Sequence, residues 1–398
     1  MSSASTVSLF VGLGASLYSY VGYPVLLKLL GLGRGRRRAA PPLREWPSIS
    51  ITIPVHNEAE VIAGTLERLL ELDYPVERRQ ILVVSDASSD GTDVIVSGFA
   101  QRGVELLRLP ERRGKSAAEN AARGQLRGDI IINTDASVCI DRRALKLLVA
   151  EFADPAVGVA SGRDVSVAHV EAHANAGESA YIGYEMWVRD LETRVAGIVG
   201  ASGCLYAIRA ELHREPVPGD LSRDFGAALF ARRRGLRAVS VPDALCFVPR
   251  SASLRQEYRR KVRTMARGLR TLWALRTLLN PLRYGLFAWM LGSHKLCRWL
   301  VPWAALLTVG AVGVLAPDAA WARAALGAAG GVLALAAVGW WWPEGGGRRV
   351  PRVFALPAYA VSGNVAALHA WLVAMSGVGT AVWEPTRRRG SAETARLL

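Results

Sequence analysis

The stretch between residues 48 and 152 alternates short apolar runs with longer amphipathic segments. The apolar runs have the length of β-strands, and the segments between them repeat apolar side chains at helical spacing. Such an alternation predicts an α/β domain in which helices cover both faces of a parallel sheet. The predicted strands are 48–55, 80–86, 104–109 and 129–136, and the predicted helices lie within 57–75, 90–103, 115–128 and 141–152. Asn57 and Glu60 have the spacing of a capping box for the first helix.

Polar side chains stand where the predicted strands end. They are His56, Asn57 and Glu58 after the first strand, Asp86 after the second, the loop RRGK (112–115) after the third, and Asp135 after the fourth. Parallel sheets bind ligands beyond the carboxyl ends of their strands, so these groups are expected along one edge. Three carboxylates beside a basic loop that leads into a helix predict a site for an anion and a metal ion. Asp90 and Asp141, in contrast, are predicted to be helix caps.

Apolar residues also concentrate near the N-terminus. Residues 7–32 are nearly uncharged and long enough to cross the hydrocarbon core, and arginines follow at once, at 34–38. The positive-inside rule therefore predicts an external N-terminus and a cytoplasmic domain after residue 33. No basic segment precedes the apolar run and no small-residue cleavage site follows it, so a removable signal peptide is not expected.

Three further apolar segments lie in the last third of the chain. The segments 299–316 and 320–342 are predicted to form a membrane hairpin, with a cytoplasmic loop at 343–352. A third, 353–376, contains Asn364 and His369. If it spans the membrane, the arginines at 387–389 lie outside, against the positive-inside rule, so a re-entrant or interfacial placement stays open.

The segment 253–276 combines apolar residues at helical spacing with eight basic residues on the other face. This pattern is typical of a helix that lies in the headgroup region of an anionic leaflet, and the alternative is a solvated charged face. The net charge of +15 comes largely from basic clusters beside apolar segments, which favours membrane topology over nucleic-acid binding. The four cysteines are scattered without metal-ligand spacing, as expected of reduced thiols in a cytosol-facing domain.

Several short motifs follow one another along the chain, and their order is informative: IPVHNE, VVSDASSDGT, GKSAAEN, TDAS, SGCLYAIR, SRDFGAALFARRRG, RRKVRT, SHKLCRWLVP and WEPTRR. Together they resemble the membrane-bound family 2 glycosyltransferases with a Rossmann-like GT-A catalytic domain, over nearly the whole chain. Each motif is weak alone, whereas the ordered set is specific. The resemblance implies a multi-pass protein of the bacterial plasma membrane with the following parts: an N-terminal span (1–33), a cytoplasmic GT-A domain (48–250), basic interfacial helices (251–296), C-terminal transmembrane or re-entrant helices (297–380) and a cytoplasmic tail (381–398).

The resemblance also implies a nucleotide-sugar site. Pro54, His56 and Glu58 match the first nucleotide-binding turn, where His56 takes the place of a tyrosine and can still stack on uracil. Asp86 is expected to accept a hydrogen bond from uracil or ribose. Lys115 is expected near the nucleotide.

Catalytic roles follow from the same resemblance. Asp135 matches the first acid of the Asp-x-Asp that holds Mg²⁺ or Mn²⁺ against the diphosphate, and Ser137 takes the place of the second. Asp224 matches the base that removes a proton from the acceptor hydroxyl. The donor is expected to be a UDP-sugar and the acceptor a lipid-linked sugar or a glycan, with inversion to a β-glycoside. Membrane lipids are a further expected partner and nucleic acid is not.

Two departures leave alternatives open. Mg²⁺ needs only one or two carboxylates besides phosphate oxygens, so Ser137 is compatible with metal binding, although a degraded site is the alternative. The processive synthases carry Gln-x-x-Arg-Trp where this chain has Arg260, Arg263 and Thr264. Arg263 is expected to be catalytic and to face the diphosphate, and Arg260 is expected to bind substrate. The missing tryptophan favours a non-processive transferase. A processive β-glycan synthase and a non-catalytic membrane subunit remain the competing readings.

The pair His169 and His173 has a spacing that suggests metal binding, but an acceptor-side surface segment is the favoured interpretation. Trp383, Arg387 and Arg388 are expected either to return to the catalytic mouth or to anchor the last segment.

Overall fold

The computed structural model describes residues 3–33, 43–167, 176–249, 253–343 and 350–377. The segment 168–175 and everything after residue 377 lie outside the described residues, and with them the predictions for His169, His173, Trp383, Arg387 and Arg388. The strands are β1 (Ile49–Val55), β2 (Arg79–Ser85), β3 (Val104–Arg108), β4 (Ile130–Thr134), β5 (Cys139–Ile140), β6 (Val157–Val167), β7 (Leu205–Arg209) and β8 (Arg237–Pro249).

Fifteen α-helices accompany these strands in the described part of the chain. They are α1 (Ser3–Leu17), α2 (Tyr23–Leu32), α3 (Ala59–Leu70), α4 (Thr92–Ser97), α5 (Lys115–Ala122), α6 (Ala144–Ala150), α7 (Ala176–Val195), α8 (Ala210–His213), α9 (Arg223–Arg233), α10 (Leu254–Ala274), α11 (Pro281–Tyr284), α12 (Leu286–Leu291), α13 (Arg298–Leu315), α14 (Ala320–Trp340) and α15 (Arg352–Met375). Two π-helical segments, Tyr18–Gly22 and Gly292–Cys297, join α1 to α2 and α12 to α13.

The eight strands form one sheet in the order β3-β2-β1-β4-β7-β6-β8-β5. Strands β1 to β4 are parallel, so their carboxyl ends share one edge as predicted. The sheet becomes mixed beyond them, because β7 runs antiparallel to both β4 and β6. Every residue of the central strand β1 is buried, which explains its continuous apolar run. The predicted Rossmann-like α/β fold is confirmed, with a mixed second half.

The capping box predicted for the first helix is wrong. Asn57 has a φ of 55°, in the left-handed region, and its side-chain oxygen accepts a hydrogen bond from the backbone N–H of Ser89 at 2.8 Å. The helix instead receives its cap from the next loop, where Asp90 accepts from the N–H groups of Ala59 and Thr92, both at 3.0 Å. Asp141 similarly accepts from the N–H of Arg143 just before α6, so both aspartates act at helix starts as predicted.

Within the described ranges, four helical stretches are long and apolar enough to cross a membrane: Ala4–Leu32, Leu286–Leu315, Ala320–Trp340 and Arg352–Met375. The second begins well before the predicted residue 299, because the π-helical segment continues the helix without a break. The segment predicted as 353–376 forms one continuous helix, α15. Helices α1 and α13 pack closely, since a Cβ on Gly12 would lie 2.2 Å from the Thr308 hydroxyl, which suits the small residues of membrane interfaces.

Helix α10 matches the predicted segment in extent but is not an open interfacial helix. Ala266 and Leu269 are buried with Ala370 of α15, and a Cβ on Gly268 would lie 2.9 Å from the Trp299 ring. Trp273, in contrast, is 71% exposed. The apolar face of α10 therefore packs largely against protein. Amphipathicity in a sequence shows which face of a helix is covered, but not what covers it.

Candidate active site

A cavity of about 730 Å³ lies between the carboxyl edge of the sheet and the long apolar helices. Its walls come from α5, α9 and α10 on the domain side, and from α13, α15 and the two π-helical segments on the other. Among the predicted site residues, the cavity lining includes Lys115, Asp135, Asp224, Arg260 and Arg263. Residues far apart in sequence thus meet in one cleft.

Asp135 follows β4 directly, and the Lys115 ammonium binds its Oδ1. Lys115 is the first residue of α5, which begins after Gly114. Burial alone would lower the pKa of Lys115, but the carboxylates of Asp135 and Glu119 outweigh burial and hold that pKa above its ordinary value. The ammonium therefore stays charged at neutral pH, and the pair presents a carboxylate and a cation at the sheet edge.

Asp224 lies in the first turn of α9, on another wall of the cavity. Its Oδ1 accepts a hydrogen bond from the Ser222 hydroxyl. Its Oδ2 faces Gly203, where an added Cβ would come within 2.7 Å of this oxygen. A glycine is therefore needed at 203 for the loop to approach the carboxylate without a clash.

Arg260 and Arg263 belong to α10 and face the same cavity. The Arg260 guanidinium binds both oxygens of Glu257, with N···O distances of 2.8 and 2.7 Å. This fork geometry fixes the guanidinium plane at the cavity wall.

The other predicted donor residues lie at the same sheet edge but outside the cavity lining. Pro54 is buried within β1, and Glu58 is the N-cap residue of α3. His56 is buried, with Nδ1 2.7 Å from the backbone oxygen of Asp86, so Nδ1 carries the proton and donates.

Asp86 positions the loop that carries Lys115. Its carboxylate is 1% exposed and accepts hydrogen bonds from the N–H groups of Arg113 and Gly114, both at 2.7 Å. The start of α5 is thereby tied to the end of β2. Ser137 lies in the turn between β4 and β5, two residues after Asp135.

A buried ion pair joins α5 to α9 on the domain side of the cavity, and the sequence analysis did not identify it. Glu119 of α5 and Arg223 of α9 are 3% and 7% exposed, and their N···O distance is 3.0 Å. Arg223 also donates to the side-chain oxygen of Asn120. Glu119 lies one helical turn after Lys115, which places both side chains on one face of α5 and was the available signal.

His213 lies next to this site and makes the stability of the fold depend on pH. It is 3% exposed, and burial, with help from Arg223 and Arg123, lowers its pKa to about 3. An unfolded histidine takes up a proton near pH 6.5, so the unfolded chain binds one more proton than the folded chain between about pH 6.5 and 3. We expect stability to fall as the pH drops through this window, by at most about 1.4 kcal/mol per pH unit from this group, and to be independent of it at higher pH.

Unfolding in detergent at pH 7.5, 6.0 and 5.0 measures this effect. His213→Gln, which can still bond to the Asn133 side chain 3.3 Å from Nε2, is expected to show a smaller loss on acidification than the wild type. Equal losses in the two proteins would exclude His213 as the source.

Aromatic side chains occupy the end of the cavity next to the apolar helices. Trp299 and Phe225 both line it and meet edge to face at 5.9 Å. Tyr359 of α15 lies on the same side, with the Lys261 ammonium 3.6 Å from its ring centre. The sequence motif lacks its tryptophan at Thr264, but Trp299 supplies an aromatic surface in the same cleft.

Residues 50–195 match the family model described as glycosyl transferase family 2. They form a family 2 glycosyltransferase domain. Curated relatives of this domain include the probable glycosyltransferase YdaM of Bacillus subtilis (strain 168), 37% identical over 112 residues that make up 27% of each chain. An N-acetylglucosaminyltransferase of Rhizobium meliloti (strain 1021) is 28% identical over 232 residues, which are 52% of this chain and 53% of the relative. The chain thus spans less than two thirds of the length of either relative.

A solved structure extends the likeness of the family 2 domain to the surrounding helices. The mannosyltransferase PcManGT from Pyrobaculum calidifontis, in complex with GDP-Man and Mn²⁺, superposes with a TM-score of 0.68 at 24% identity. The match covers 91% of this chain and 99% of that one. At this identity the likeness establishes the fold, which is of the GT-A type.

Proposed function

We propose that the protein is a membrane-anchored, inverting glycosyltransferase that moves a sugar from a UDP-sugar to a lipid-linked or polysaccharide acceptor. One observation carries the proposal: Asp135 and Lys115, in a family 2 domain, and Asp224, which follows that domain, all line one cavity that reaches the apolar helices. Displacement at an anomeric carbon requires these two features, namely charge stabilisation on the leaving diphosphate and a base on the acceptor side.

The donor diphosphate is proposed to lie beside Lys115 and the N-terminus of α5. Backbone N–H groups at a helix start and a charged ammonium both favour phosphate. Arg260 and Arg263 add positive charge from α10. The uracil and ribose would extend toward His56, Asp86 and the end of β1, since these groups continue the same sheet edge.

The residues present fit a divalent cation that is shared with the diphosphate. No group of three or more His, Cys, Asp or Glu side chains that could hold a metal occurs among the described residues. Asp135 and Ser137 would therefore hold Mg²⁺ or Mn²⁺ jointly with phosphate oxygens, a donor set that Mg²⁺ accepts. When bound, the cation would neutralise charge that develops on the leaving diphosphate.

Asp224 is proposed to take the proton from the acceptor hydroxyl. Ser222 occupies Oδ1, so Oδ2 is the oxygen that would receive the proton. Attack from this side, opposite the leaving diphosphate, inverts the anomeric configuration and gives a β-glycoside from an α-linked UDP-sugar. Trp299 and Phe225 would exclude water and pack against the acceptor.

Membrane anchoring is proposed from the four candidate spans. The positive-inside rule favours an external N-terminus and a catalytic domain on the cytoplasmic side of a bacterial plasma membrane.

A UDP-release screen across UDP-sugars, in membranes containing Mg²⁺ or Mn²⁺, tests the proposal. We expect release and transfer with one donor or a small set of donors. A single addition per acceptor supports the non-processive transferase, and a product ladder from one donor supports a processive synthase instead. A protein that neither binds nor turns over any UDP-sugar would contradict the proposed function and favour a non-catalytic subunit.

A further inference from the structure

A second group of basic side chains lies in the cavity, next to the apolar helices. Arg189 of α7, Lys295 of the second π-helical segment and Arg298 of α13 all line this end. They surround Glu185, and none of these residues belongs to the donor site described above. We call this set the basic cluster.

Carboxylates neutralise the basic cluster only in part. Glu185 binds Arg298 at 2.6 Å, His294 at 2.8 Å and Lys295 at 3.4 Å, so one carboxylate serves several donors. The neighbouring Glu192 is occupied by His294 at 2.5 Å and by the Tyr23 hydroxyl at 2.6 Å. Among the described residues, Arg189, Lys295 and Arg298 all share Glu185 as their ion-pair partner, so their ion pairing is incomplete.

Arg189 is the cation of the basic cluster whose hydrogen-bond donors are least satisfied. It is 8% exposed, and its Nε and Nη1 atoms make no hydrogen bond to any described residue. Its Nη2 donates to the backbone oxygen of Ala201 at 3.4 Å, and Nε lies 4.0 Å from Glu185. A buried guanidinium whose N–H groups make no hydrogen bond destabilises the fold, so binding of an anion beside it in the cavity would be strongly favoured.

The basic cluster lies close to the proposed base. The Lys295 ammonium sits 5.8 Å from the centre of the Phe225 ring, and Phe225 is the residue after Asp224. A Cβ on Gly200 would lie 3.5 Å from Lys295 Cε, while Gly203 abuts Asp224 Oδ2. Since three residues span at most about 10 Å, Gly200 and Gly203 bring both groups within reach of one small ligand.

The apolar side of the basic cluster is formed by candidate spans. Tyr20 belongs to the first, and Trp299 and Pro302 belong to the second. An anionic group held here would have an apolar path toward lipid on one side and Asp224 on the other.

We propose that the basic cluster binds the phosphate of a lipid-linked sugar acceptor, so that the first sugar lies at Asp224 and the lipid chain runs along the candidate spans. This inference rests on the proposed function and narrows the acceptor to a lipid phosphate that carries a short glycan, rather than a neutral polysaccharide.

Binding of farnesyl phosphate, farnesol, inorganic phosphate and UDP to protein in zwitterionic nanodiscs tests the inference. Lys295→Gln is expected to weaken farnesyl phosphate binding by about tenfold or more, the loss of a hydrogen bond to a charged group, while UDP binding persists. Lys295→Arg keeps the charge and is expected to restore most of the affinity. Arg276→Gln, at an exposed arginine outside the cavity, is the matched control and should bind like the wild type.

The outcomes distinguish a lipid phosphate from free phosphate, and they test the acceptor site separately from the proposed transferase activity. Farnesol that binds as tightly as farnesyl phosphate, or a Lys295→Gln protein that binds farnesyl phosphate normally, would overturn the inference. Inorganic phosphate that binds as tightly as farnesyl phosphate would assign the basic cluster to free phosphate and overturn the lipid assignment. Parallel loss of UDP binding in Lys295→Gln would place the basic cluster in the donor site and also overturn it. A wild-type protein that binds no UDP, yet binds farnesyl phosphate through Lys295, contradicts the proposed transferase and supports the lipid-phosphate site.

Discussion

Replacing Asp224 with asparagine is expected to lower the rate of sugar transfer by about 10²–10⁴-fold, the usual contribution of a general base. The amide keeps the size of the side chain and can still accept from the Ser222 hydroxyl, but it cannot take a proton from the acceptor. UDP binding should persist, because the proposed donor groups Lys115 and Asp135 lie on another wall of the cavity. The measurement is UDP release and product formation with a donor found in the screen.

Asp220→Asn is the matched control, since Asp220 is exposed and lies just before α9. It should transfer sugar at close to the wild-type rate. If Asp224→Asn kept wild-type transfer, or lost UDP binding along with transfer, Asp224 would not be the base.

Replacing Glu119 with glutamine is expected to lower the free energy of unfolding by about 3–5 kcal/mol, because the Arg223 charge then stays buried without its counter-charge. The pair joins α5 to α9, which both line the cavity, so the change should also loosen the site. Unfolding of the purified protein in detergent measures the effect.

Two comparisons make the test specific. Glu105→Gln breaks a pair with Arg127 whose side chains are 37% and 67% exposed, and it should cost no more than about 1 kcal/mol. Glu119→Leu combined with Arg223→Met removes both charges and should recover much of the loss, as for other buried pairs. A cost for Glu119→Gln no larger than for Glu105→Gln would show that the pair is not a stabilising link.

The sheet edge could be predicted from the sequence because it depends on local patterns. Apolar runs of strand length fixed β1 to β4, and parallel pairing then required His56, Asp86 and Asp135 to share one edge. Lys115 followed from its place at the start of a helix after a basic loop. In the structure the Lys115 ammonium binds the Asp135 carboxylate and compensates its charge.

Other features depended on contacts that no local pattern encodes. Asn57 has a left-handed backbone, and the first N–H of α3 donates instead to Asp90, a residue in the loop after β2. Helix α10 showed an amphipathic face, but only the fold placed α15 against it. The contacts of Glu185 with His294 and Arg298 join segments more than one hundred residues apart, so the basic cluster could not be read from either segment alone.

The central claim is that Asp135, at the end of β4, holds a metal-bound sugar nucleotide in this cavity. The most direct measurement is UDP binding with and without Mn²⁺ in the wild type, in Asp135→Asn and in Asp141→Asn, a turn aspartate at the start of α6. Substitutions even in the outer shell of metal sites cost about 10–100-fold in metal affinity, so loss of a direct ligand should cost at least as much. We predict Mn²⁺-dependent UDP binding in the wild type and Asp141→Asn, and binding weakened by about tenfold or more in Asp135→Asn. Equal, Mn²⁺-independent binding in all three proteins would contradict the claim.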